Sequence, residues 1–358
     1  MDAAGNLYGT TRYGGSHEGC PGKWECGAVF KLDTNRVETV LYNFTGPDGA
    51  NPTSNLIMDA NGNLYGTTEF GGDTSNCVGI SYAGCGVVFK LSGTKETVLY
   101  RFTGGADGAW PLAGVTMGAG GALYGTTNQG GEYGEGVVFK LVGKKETVLH
   151  SFCSEDNCQD GALPYGGTLI NADGSLYGTA AFGGNVNCGC GVVFKLTGKK
   201  ETVLHAFKGS PDGAFPSAGL FMDTTGNLYG TTGNGGHDSN GGIVFEVGQD
   251  GKKRELHTFR GAHGGSDPQA GVVLDAQGNL YGTTLYGPTG TGGTAFEITA
   301  DGKEKILHYF CSEKDCADGG IPNDLIDAKG NLYGTAYGGG TYGKGTIFKI
   351  SLPPTQPQ

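Results

Sequence analysis

The phrase Leu-Tyr-Gly-Thr occurs seven times in this chain and constrains its fold more than any other feature. Successive copies are 57, 59, 53, 52, 52 and 52 residues apart, and they begin at Leu7, Leu64, Leu123, Leu176, Leu228, Leu280 and Leu332. A repeat of roughly 40–50 residues built from short strands is typical of a β-propeller blade. The repetition therefore predicts an all-β protein, a β-propeller in which each blade holds one copy of the phrase.

Each full repeat contains four candidate strands, because short β-branched and aromatic runs alternate with turns rich in glycine and aspartate. The chain holds seven second and seven third strands but only six full first and six fourth strands. We interpret residues 1–350 as one domain of seven blades of about 52 residues, with blade 1 lacking its first strand. Six blades plus an extra hairpin is the alternative.

Two patterns on the third and fourth strands predict how the blades are packed. Opposite charges stabilise a sheet when they face each other across two strands, and we expect such pairs between Lys31 and Glu38, Lys90 and Glu96, Lys140 and Glu146, Lys195 and Glu201, Glu246 and Lys253 or Arg254, and Glu297 and Lys305. One phenylalanine recurs on every third strand, and we expect these rings to pack the blades together: Phe30, Phe89, Phe139, Phe194, Phe245, Phe296 and Phe348.

The ten cysteines fall into five pairs of near neighbours, which predicts short-loop disulfides and an oxidising, extracellular or cell-surface location. The pairs are Cys20 with Cys26, Cys77 with Cys85, Cys153 with Cys158, Cys188 with Cys190, and Cys311 with Cys316. None has the Cys-x2-Cys spacing common in zinc sites, so we predict no metal there. Because the chain begins in the middle of a repeat, we expect a signal peptide upstream. Residues 351–358 read as a proline-rich tail or linker.

Charge and hydropathy exclude several partners. A net charge of −11 with only 24 basic residues makes a nucleic-acid partner unlikely on electrostatic grounds. No run of about 18 apolar residues is present, so we predict no membrane span, and we expect a monomer. The chain also lacks a nucleotide-binding loop, a serine nucleophile elbow and an HExxH motif, which leaves open whether it is an enzyme.

The segments 62–68 and 136–141, Gly-Asn-Leu-Tyr-Gly-Thr-Thr and Gly-Val-Val-Phe-Lys-Leu, recur in variant form along almost the whole chain. They resemble the Gloeo/Verruco tandem repeats of secreted or surface-anchored bacterial proteins. The resemblance implies a propeller that works outside the cell. It brings no catalytic motif with it.

Function is expected in the loops between strands two and three and in those joining strand four to the next blade. These loops open on one face and hold all five cysteine pairs, and decorated loops on a rigid scaffold commonly bind ligands. One loop position carries recurrent aromatic residues, Tyr13, Phe70, Phe182, Tyr286 and Tyr337, and Trp24, Trp110 and Phe215 stand nearby. Such rings suit stacking on the C–H faces of sugars. The alternative is that the recurrent rings fill the gaps between blades.

The aspartates of the Asp-Gly loops are either calcium ligands or caps of their own turns. They are Asp48, Asp107, Asp160, Asp212 and Asp318. Because the residue recurs in five loops, we favour the capping role and predict no required cofactor, with calcium as the alternative.

The histidines form two groups. His150, His205, His257 and His308 share one fourth-strand slot with Tyr42 and Tyr100, which indicates packing plus a hydrogen bond. The irregular loop residues are the only candidates for acid–base catalysis, and they are Arg12, His17, Glu18, Glu69, His237, Asp238 and His263.

The sequence thus predicts an extracellular propeller that binds a ligand, above all a glycan, on its disulfide-stapled loop face. One alternative is a polysaccharide-degrading lyase or glycosidase that uses the irregular polar residues. Another is a structural or adhesive surface module with a protein partner.

Overall fold

A computed structural model describes residues 1–353 of the chain except 16–19, 21–24, 74–76, 78–83, 238–239, 262–263 and 289. Over these residues the protein consists of strands, turns and three single-turn 3-10 helices, at Ala119–Gly121, Asp156–Cys158 and Lys314–Cys316. The predicted fold class, an all-β propeller of seven blades, is confirmed. Within the described part of the chain no helix is long and apolar enough to cross a membrane.

The first four sheets follow the order of the sequence. Blade 1 has three strands, β1 (Leu7–Thr11), β2 (Ala28–Leu32) and β3 (Glu38–Asn43). Blade 2 has four, β4 (Ile57–Met58), β5 (Leu64–Thr68), β6 (Val87–Ser92) and β7 (Lys95–Arg101). Blade 3 comprises β8 (Thr116–Met117), β9 (Leu123–Thr127), β10 (Val137–Val142) and β11 (Lys145–Ser151). Blade 4 comprises β12 (Leu169–Ile170), β13 (Leu176–Ala180), β14 (Val192–Thr197) and β15 (Lys200–Ala206).

The remaining three sheets repeat the same antiparallel order. Blade 5 comprises β16 (Phe221–Met222), β17 (Leu228–Thr232), β18 (Ile243–Val247) and β19 (Lys253–Thr258). Blade 6 comprises β20 (Val273–Leu274), β21 (Leu280–Thr284), β22 (Thr294–Ile298) and β23 (Glu304–Tyr309). Blade 7 has three strands, β24 (Gly320–Asp327), β25 (Asn331–Gly338) and β26 (Thr346–Ser351). Blade 1 therefore lacks a first strand and blade 7 a fourth among the described residues, as the strand count predicts.

The chain divides into two compact units, residues 1–178 with 195–202 and residues 179–194 with 203–358. Blades 1–3 belong to the first unit and blades 5–7 to the second, and blade 4 contributes residues to both. That residues 1–350 form one domain stays a prediction.

The glycine of the repeated phrase is required by a ring of the same blade. In blade 3 a Cβ added to Gly125 would lie 2.7 Å from Cζ of Phe139, which is too close for two carbon atoms. The two residues are direct partners in the β9–β10 ladder, so the phenylalanine ring lies flat over the glycine. The same contact recurs in five further copies of the phrase, at Gly9, Gly66, Gly230, Gly282 and Gly334.

The other residues of the phrase each make one repeated contact. The leucine is buried in the blade core, as Leu123 is at 2 % exposure. The tyrosine hydroxyl donates to an aspartate six residues earlier, as from Tyr65 to Asp59 at 3.0 Å. The threonine hydroxyl reaches the next blade, as from Thr67 to the carbonyl of Ala113 at 2.8 Å. The phrase therefore packs its own blade and ties it to its neighbour.

The third-strand phenylalanines pack the blades, as predicted. Phe89, Phe139, Phe194, Phe245 and Phe296 are fully buried. Five junctions between blades also place the phenylalanine that follows one fourth strand edge-on to the third-strand ring of the next blade. Centroid distances of 4.7–5.2 Å separate Phe44 from Phe89, Phe102 from Phe139, Phe207 from Phe245, Phe259 from Phe296 and Phe310 from Phe348. Such edge-to-face contacts stabilise by about 1 kcal/mol each beyond their burial.

The predicted charge pairs form in blades 5 and 6 but not in blades 1–3. Glu246 lies opposite Arg254, with 2.9 Å between Oε1 and Nη1, and Glu297 lies opposite Lys305 at 3.2 Å. In blade 2, by contrast, Lys90 lies opposite a threonine and Glu96 opposite a leucine. A shift of one residue puts two strand side chains on opposite faces of the sheet. The expected pairs of Lys31 with Glu38, Lys90 with Glu96 and Lys140 with Glu146 are therefore wrong.

The third-strand lysines of blades 2, 3, 4 and 7 lie over the ring of the phrase tyrosine, with 5.4–5.8 Å between Nζ and the ring centroid. The pairs are Lys90 with Tyr65, Lys140 with Tyr124, Lys195 with Tyr177 and Lys349 with Tyr333. The fourth-strand glutamates Glu96, Glu146 and Glu201 lie near the aspartate of the loop that follows the preceding blade.

Replacing the phrase glycine should destabilise the protein through a steric clash. Gly125→Ala puts a methyl group into the Phe139 ring, and overpacking of this kind costs about 1–3 kcal/mol. The matched control is Gly105→Ala in the same unit, where the nearest atom to a new Cβ is 3.5 Å away. We expect thermal unfolding to show a lower melting temperature for the first variant and an unchanged one for the second. Equal melting temperatures would contradict the packing role of the glycine.

Candidate functional site

The loop that follows each second strand is shaped by the second threonine of Gly-Thr-Thr. In blade 2, Thr68 Oγ1 donates to the carbonyl of Phe70 at 2.7 Å and accepts the N–H of Val87 at 3.3 Å. Thr127, Thr232 and Thr284 make the same bond to the residue two positions later. The threonine thereby fixes two loop residues, which we call the first and second loop positions.

A third position is fixed between the blades, at the residue before proline in the Asp-Gly loops. The N–H of Trp110 donates to the carbonyl of Cys85 in blade 2, and its carbonyl accepts the N–H of Asn128 in blade 3. The residue adopts a left-handed backbone with φ of 52–60° in all six copies, Asn51, Trp110, Leu163, Phe215, Asp267 and Ile321. We call it the left-handed position.

This backbone is unfavourable for most of the side chains that occupy it. Asparagine and aspartate tolerate left-handed φ, but it is rare for the bulky Trp110 and Phe215 and for the β-branched Ile321. The backbone hydrogen bonds to neighbouring residues hold this conformation in place. Residues with strained backbones of this kind cluster at functional sites. The sequence shows the proline and the variable residue before it but not the φ angle.

In the first unit several of the three kinds of position carry polar side chains. The first loop positions of blades 1, 2 and 3 are Arg12, Glu69 and Asn128. Arg12 Nη2 donates to Glu69 Oε2 at 2.8 Å, and Asn51 Nδ2 donates to the carbonyl of Arg12 at 3.0 Å. Gln129 Nε2 contacts Asn128 Oδ1 at 3.5 Å. We call Arg12, Asn51, Glu69, Asn128 and Gln129 the polar row.

Glu69 and Asn128 are the buried members of this row, and Glu69 is the one that carries a charge. Its side chain is 11 % exposed, against 40 % for Arg12. Burial raises the pKa of the Glu69 carboxyl, and the Arg12 guanidinium acts in the opposite direction. The ion pair therefore has a solvent-facing cation and a recessed carboxylate.

Aromatic rings flank the polar row. The Arg12 guanidinium lies 5.6 Å from the ring centroid of Tyr13, which is 42 % exposed. Phe70 and Trp110 are half-buried and meet edge to face at 5.8 Å. Tyr13, Phe70 and Trp110, all predicted ligand-binding residues, thus accompany one polar row.

The second unit repeats the aromatic residues without the polar row. Phe182 and Phe215 meet edge to face at 4.9 Å, and Tyr286 is 45 % exposed. The first loop positions of blades 4–6 are Ala181, Gly233 and Leu285, which offer no polar side chain, and the polar residues at the other two positions are Asn234 and Asp267. The second unit therefore has exposed rings but fewer groups that could bind hydroxyls.

The grouping of Tyr337 with Tyr13, Phe70, Phe182 and Tyr286 is wrong, because Tyr337 is the first residue after Gly-Thr-Ala and the others are the second residue after Gly-Thr-Thr or Gly-Thr-Ala. Blade 7 is one residue shorter here, since Gly345 packs on the carbonyls of Ala336 and Tyr337 as Gly86 packs on those of Thr68 and Glu69. Tyr337, which is 56 % exposed, therefore stands at the first loop position, equivalent to Glu69.

The predicted acid–base residues are brought together only in part. Arg12 and Glu69 form the ion pair described above, whereas His237 is an exposed residue of the second unit. Asp238 and His263 lie outside the described residues, as do Trp24, His17 and Glu18. Arg12 and Glu69 are thus the one predicted acid–base pair joined within the described residues.

All five predicted disulfides are present, between Cys20 and Cys26, Cys77 and Cys85, Cys153 and Cys158, Cys188 and Cys190, and Cys311 and Cys316. The chain has no free cysteine among its described residues. The bridges close the loops that flank the three loop positions.

A second recurrent cluster lies at the junctions between blades. It combines the Tyr or His of one fourth strand, the aspartate of the following Asp-Gly loop, and one charged residue of the next fourth strand. That charged residue stands two positions before the partner of the third-strand phenylalanine. We call these triplets the junction clusters: Tyr42–Asp48–Glu96, Tyr100–Asp107–Glu146, His150–Asp160–Glu201, His205–Asp212–Lys253 and His257–Gly264–Glu304.

Each aspartate caps its own loop and holds the neighbouring ring, as the sequence predicts. Asp107 accepts the N–H of Thr103 at 2.9 Å and the hydroxyl of Tyr100 at 3.0 Å. Asp212 lies 2.9 Å from His205 Nε2. The histidines also contact the phenylalanine two residues later edge to face, as His205 does Phe207 at 4.8 Å. The described residues contain no group of three His, Cys, Asp or Glu side chains placed to hold a metal ion.

Three junction clusters hold an excess of negative charge. Burial, with repulsion from Asp48, Asp107 and Asp160 respectively, raises the pKa of Glu96, Glu146 and Glu201 to about 7. The fourth cluster replaces the glutamate by Lys253, which lies 3.2 Å from Asp212. The fifth replaces the aspartate by Gly264, and the carboxylate of Glu304 takes up the space of the missing side chain.

These shifts predict that the protein loses stability between pH 5 and pH 8. A glutamate with an unfolded pKa of 4.5 and a folded pKa of about 7 stabilises the fold fully below pH 4.5, and this contribution is lost as the pH rises through about 7. The triple variant Glu96→Gln, Glu146→Gln, Glu201→Gln should flatten the decline in melting temperature.

The control for that experiment is Glu132→Gln, which changes an exposed loop carboxylate of the same unit. It should leave the pH profile as it is. A parent profile that is flat between pH 5 and pH 8 would show that the junction glutamates are ionised throughout.

One shallow cavity lies away from the loop positions. It has a volume of ≈ 100 Å³ and is lined by residues of blades 3 and 4, among them Tyr124, Lys140, Leu149 and Leu196. A volume well below the 300–1,000 Å³ of usual ligand pockets does not suit a sugar ligand.

A family comparison decides which proteins this chain belongs with. The model of the Gloeobacter/Verrucomicrobia repeat matches residues 1–241 and 157–348. The chain belongs to this repeat family. No curated protein sequence matches it.

Solved structures similar to the chain share its fold at low sequence identity. A protein assigned as a 6-phosphogluconolactonase from Bacteroides uniformis ATCC 8492 is 14% identical, with 97% of this chain and 96% of that one covered and a TM-score of 0.56. The extracellular domain of a proposed one-component system from B. thetaiotaomicron is 12% identical, with 93% of this chain and 39% of that chain covered and a TM-score of 0.54. A computationally designed protein, Ika8, is 10% identical, with 91% and 78% covered and a TM-score of 0.50.

Proposed function

We propose that this protein works outside the cell and binds carbohydrate at the loops of blades 1–3. The observation that carries the proposal is the polar row of Arg12, Asn51, Glu69, Asn128 and Gln129, flanked by aromatic rings on fixed loops. The row is confined to the first unit, so the second unit supplies an internal comparison.

The chemistry of the row suits sugar hydroxyls. Arginine and amide N–H groups donate hydrogen bonds, carboxylate and amide oxygens accept them, and the row holds both kinds side by side. The exposed ring of Tyr13 offers a flat apolar surface for the C–H face of a pyranose. Binding sites commonly pair aromatic surface with a few fixed polar groups in this way.

The disulfides support an extracellular location. Five disulfides between sequence neighbours are typical of an oxidising compartment. The same fold occurs in the extracellular domain from B. thetaiotaomicron.

The alternatives have less support. Of the acid–base candidates within the described residues, Arg12 and Glu69 are the two that meet, and a glycosidase needs two carboxyl groups. A protein-binding surface module would not require a row of hydrogen-bonding side chains beside exposed rings. Product analysis on a panel of polysaccharides tests the enzyme hypothesis, and absence of cleavage products is expected.

The binding proposal predicts that Tyr13→Ala weakens glycan binding without changing stability. The ring is an exposed loop residue, so its loss should shift unfolding by about 0.5 kcal/mol or less. Tyr286→Ala is the matched control, because Tyr286 occupies the same loop position of the second unit and is similarly exposed, at 45 %. A glycan array with the parent protein identifies the ligand, and titration calorimetry with that ligand then compares the variants.

Three outcomes of this experiment would contradict the proposal. The array could give no glycan ligand, the two variants could bind equally well, or Tyr286→Ala could be the weaker binder. In the last case the sugar site would belong to the second unit.

A further inference from the structure

Blade 7 presents an open sheet edge. Within the described part of the chain β26 pairs only with β25, whereas every other third strand also pairs with a fourth strand. An open edge is a template for another strand, because its N–H and C=O groups have no ladder partner. A fourth strand could therefore pair with β26 in blade 7, and none does so among the described residues.

The side chains of β26 show what such a strand covers. In blade 2 the third-strand ring of Phe89 lies directly opposite Val98 of the fourth strand, and Leu91 lies opposite Glu96. Phe89 and Leu91 are 0% and 1% exposed. Their counterparts in blade 7, Phe348 and Ile350, are only half-buried. The missing strand leaves apolar surface that the repeat elsewhere covers.

The junction at Asp318 also lacks the fourth-strand residue that completes the other junction clusters within the described part of the chain. Asp318 accepts the N–H and hydroxyl of Ser312 at 3.1 and 2.8 Å and lies 3.1 Å from His308 Nε2. Asp160 has the same set from Ser154, at 2.9 and 2.7 Å, and lies 3.2 Å from His150. At Asp160 the next fourth strand adds Glu201 as a third group.

The exposed fraction of the two aspartates reflects this difference. The side chain of Asp318 is 8% exposed and that of Asp160 is 1% exposed. The charged residue of an added strand that corresponds to Glu201 and Lys253 would lie beside Asp318, as Lys253 lies beside Asp212 and Glu201 beside Asp160.

We propose that blade 7 binds one added antiparallel strand that carries the fourth-strand sequence of this repeat. The strand lies along β26, and its charged residue opposite Ile350 lies at Asp318. Backbone hydrogen bonds to an open edge supply affinity in such strand addition, and side-chain positions supply specificity. The specificity positions are an apolar residue opposite Phe348 and a charge at Asp318. A strand with lysine at this position should bind more tightly than one with glutamate. Lysine forms an ion pair with Asp318, whereas glutamate must take up a proton to avoid repulsion.

The test uses the whole chain and two labelled peptides. The first peptide is the blade 2 strand Lys-Glu-Thr-Val-Leu-Tyr-Arg-Phe (residues 95–102) with lysine in place of its glutamate, and the second has the natural sequence. Both peptides place the valine, which pairs with Phe89 in blade 2, opposite Phe348. Fluorescence anisotropy should show saturable binding of both at one peptide per chain. At pH 8 the lysine peptide should bind about fivefold more tightly, and lowering the pH to 6 should narrow the gap.

Matched variants assign the site. Asp318→Asn should remove the difference between the two peptides, whereas Asp212→Asn should preserve it, because Lys253 already occupies that junction. Thermal unfolding of both variants checks that they are folded.

Three results would overturn the proposal. A scrambled peptide could bind as tightly as the parent peptide, or neither peptide could bind at concentrations of about 1 mM. The protein could also form a dimer in analytical ultracentrifugation that excess peptide does not dissociate, which would make a second copy the occupant of the edge. None of these results bears on glycan binding by the first unit.

Discussion

The contact between the third-strand phenylalanine and the glycine of Leu-Tyr-Gly-Thr sets the geometry on which the rest of the structure depends. Because the glycine has no side chain, the Phe139 ring lies directly over Gly125 within one blade. The same ring then receives the edge of Phe102 from the preceding blade. One aromatic residue per repeat thus fixes both the thickness of a blade and the distance to its neighbour.

The junction clusters show how a repeat varies its charges without changing its backbone. Lys253 stands where other blades have glutamate and makes an ion pair with Asp212, and Gly264 stands where others have aspartate. In blades 2–4 both acids remain, and burial with mutual repulsion raises the pKa of the glutamate to about 7. In two of the five junctions a residue change removes the excess negative charge. In the other three the pKa of the glutamate is about 7, so the glutamate takes up a proton as the pH falls through this value.

In the loops after the second strands, the residues that hold the backbone are distinct from the residues that vary between blades. Thr68 and its counterparts hold the loops by backbone bonds that any neighbouring side chain permits. The first loop position is therefore free to vary, and it runs Arg12, Glu69, Asn128 in one unit and Ala181, Gly233, Leu285 in the other. The variation is what makes the first unit the better candidate for binding a polar ligand.

The sequence by itself determined the repeat, the seven blades, the five disulfides and the packing role of Phe89 and its counterparts. These follow from local spacing, since each repeat specifies its own sheet and each cysteine pair its own loop. The role of the fourth-strand histidines was also predictable from the sequence. The same position holds Tyr42 and Tyr100 in blades 1 and 2, which indicates one shared role.

Tertiary structure decided the pairings that depend on register and on neighbouring blades. A one-residue offset moved Lys90 and Glu96 to opposite faces, and no spacing in the sequence shows that offset. The left-handed backbone of Trp110 is likewise invisible in a string of residues. Arg12 and Glu69 meet across a blade junction, 57 residues apart, because the fold brings equivalent positions of successive repeats side by side.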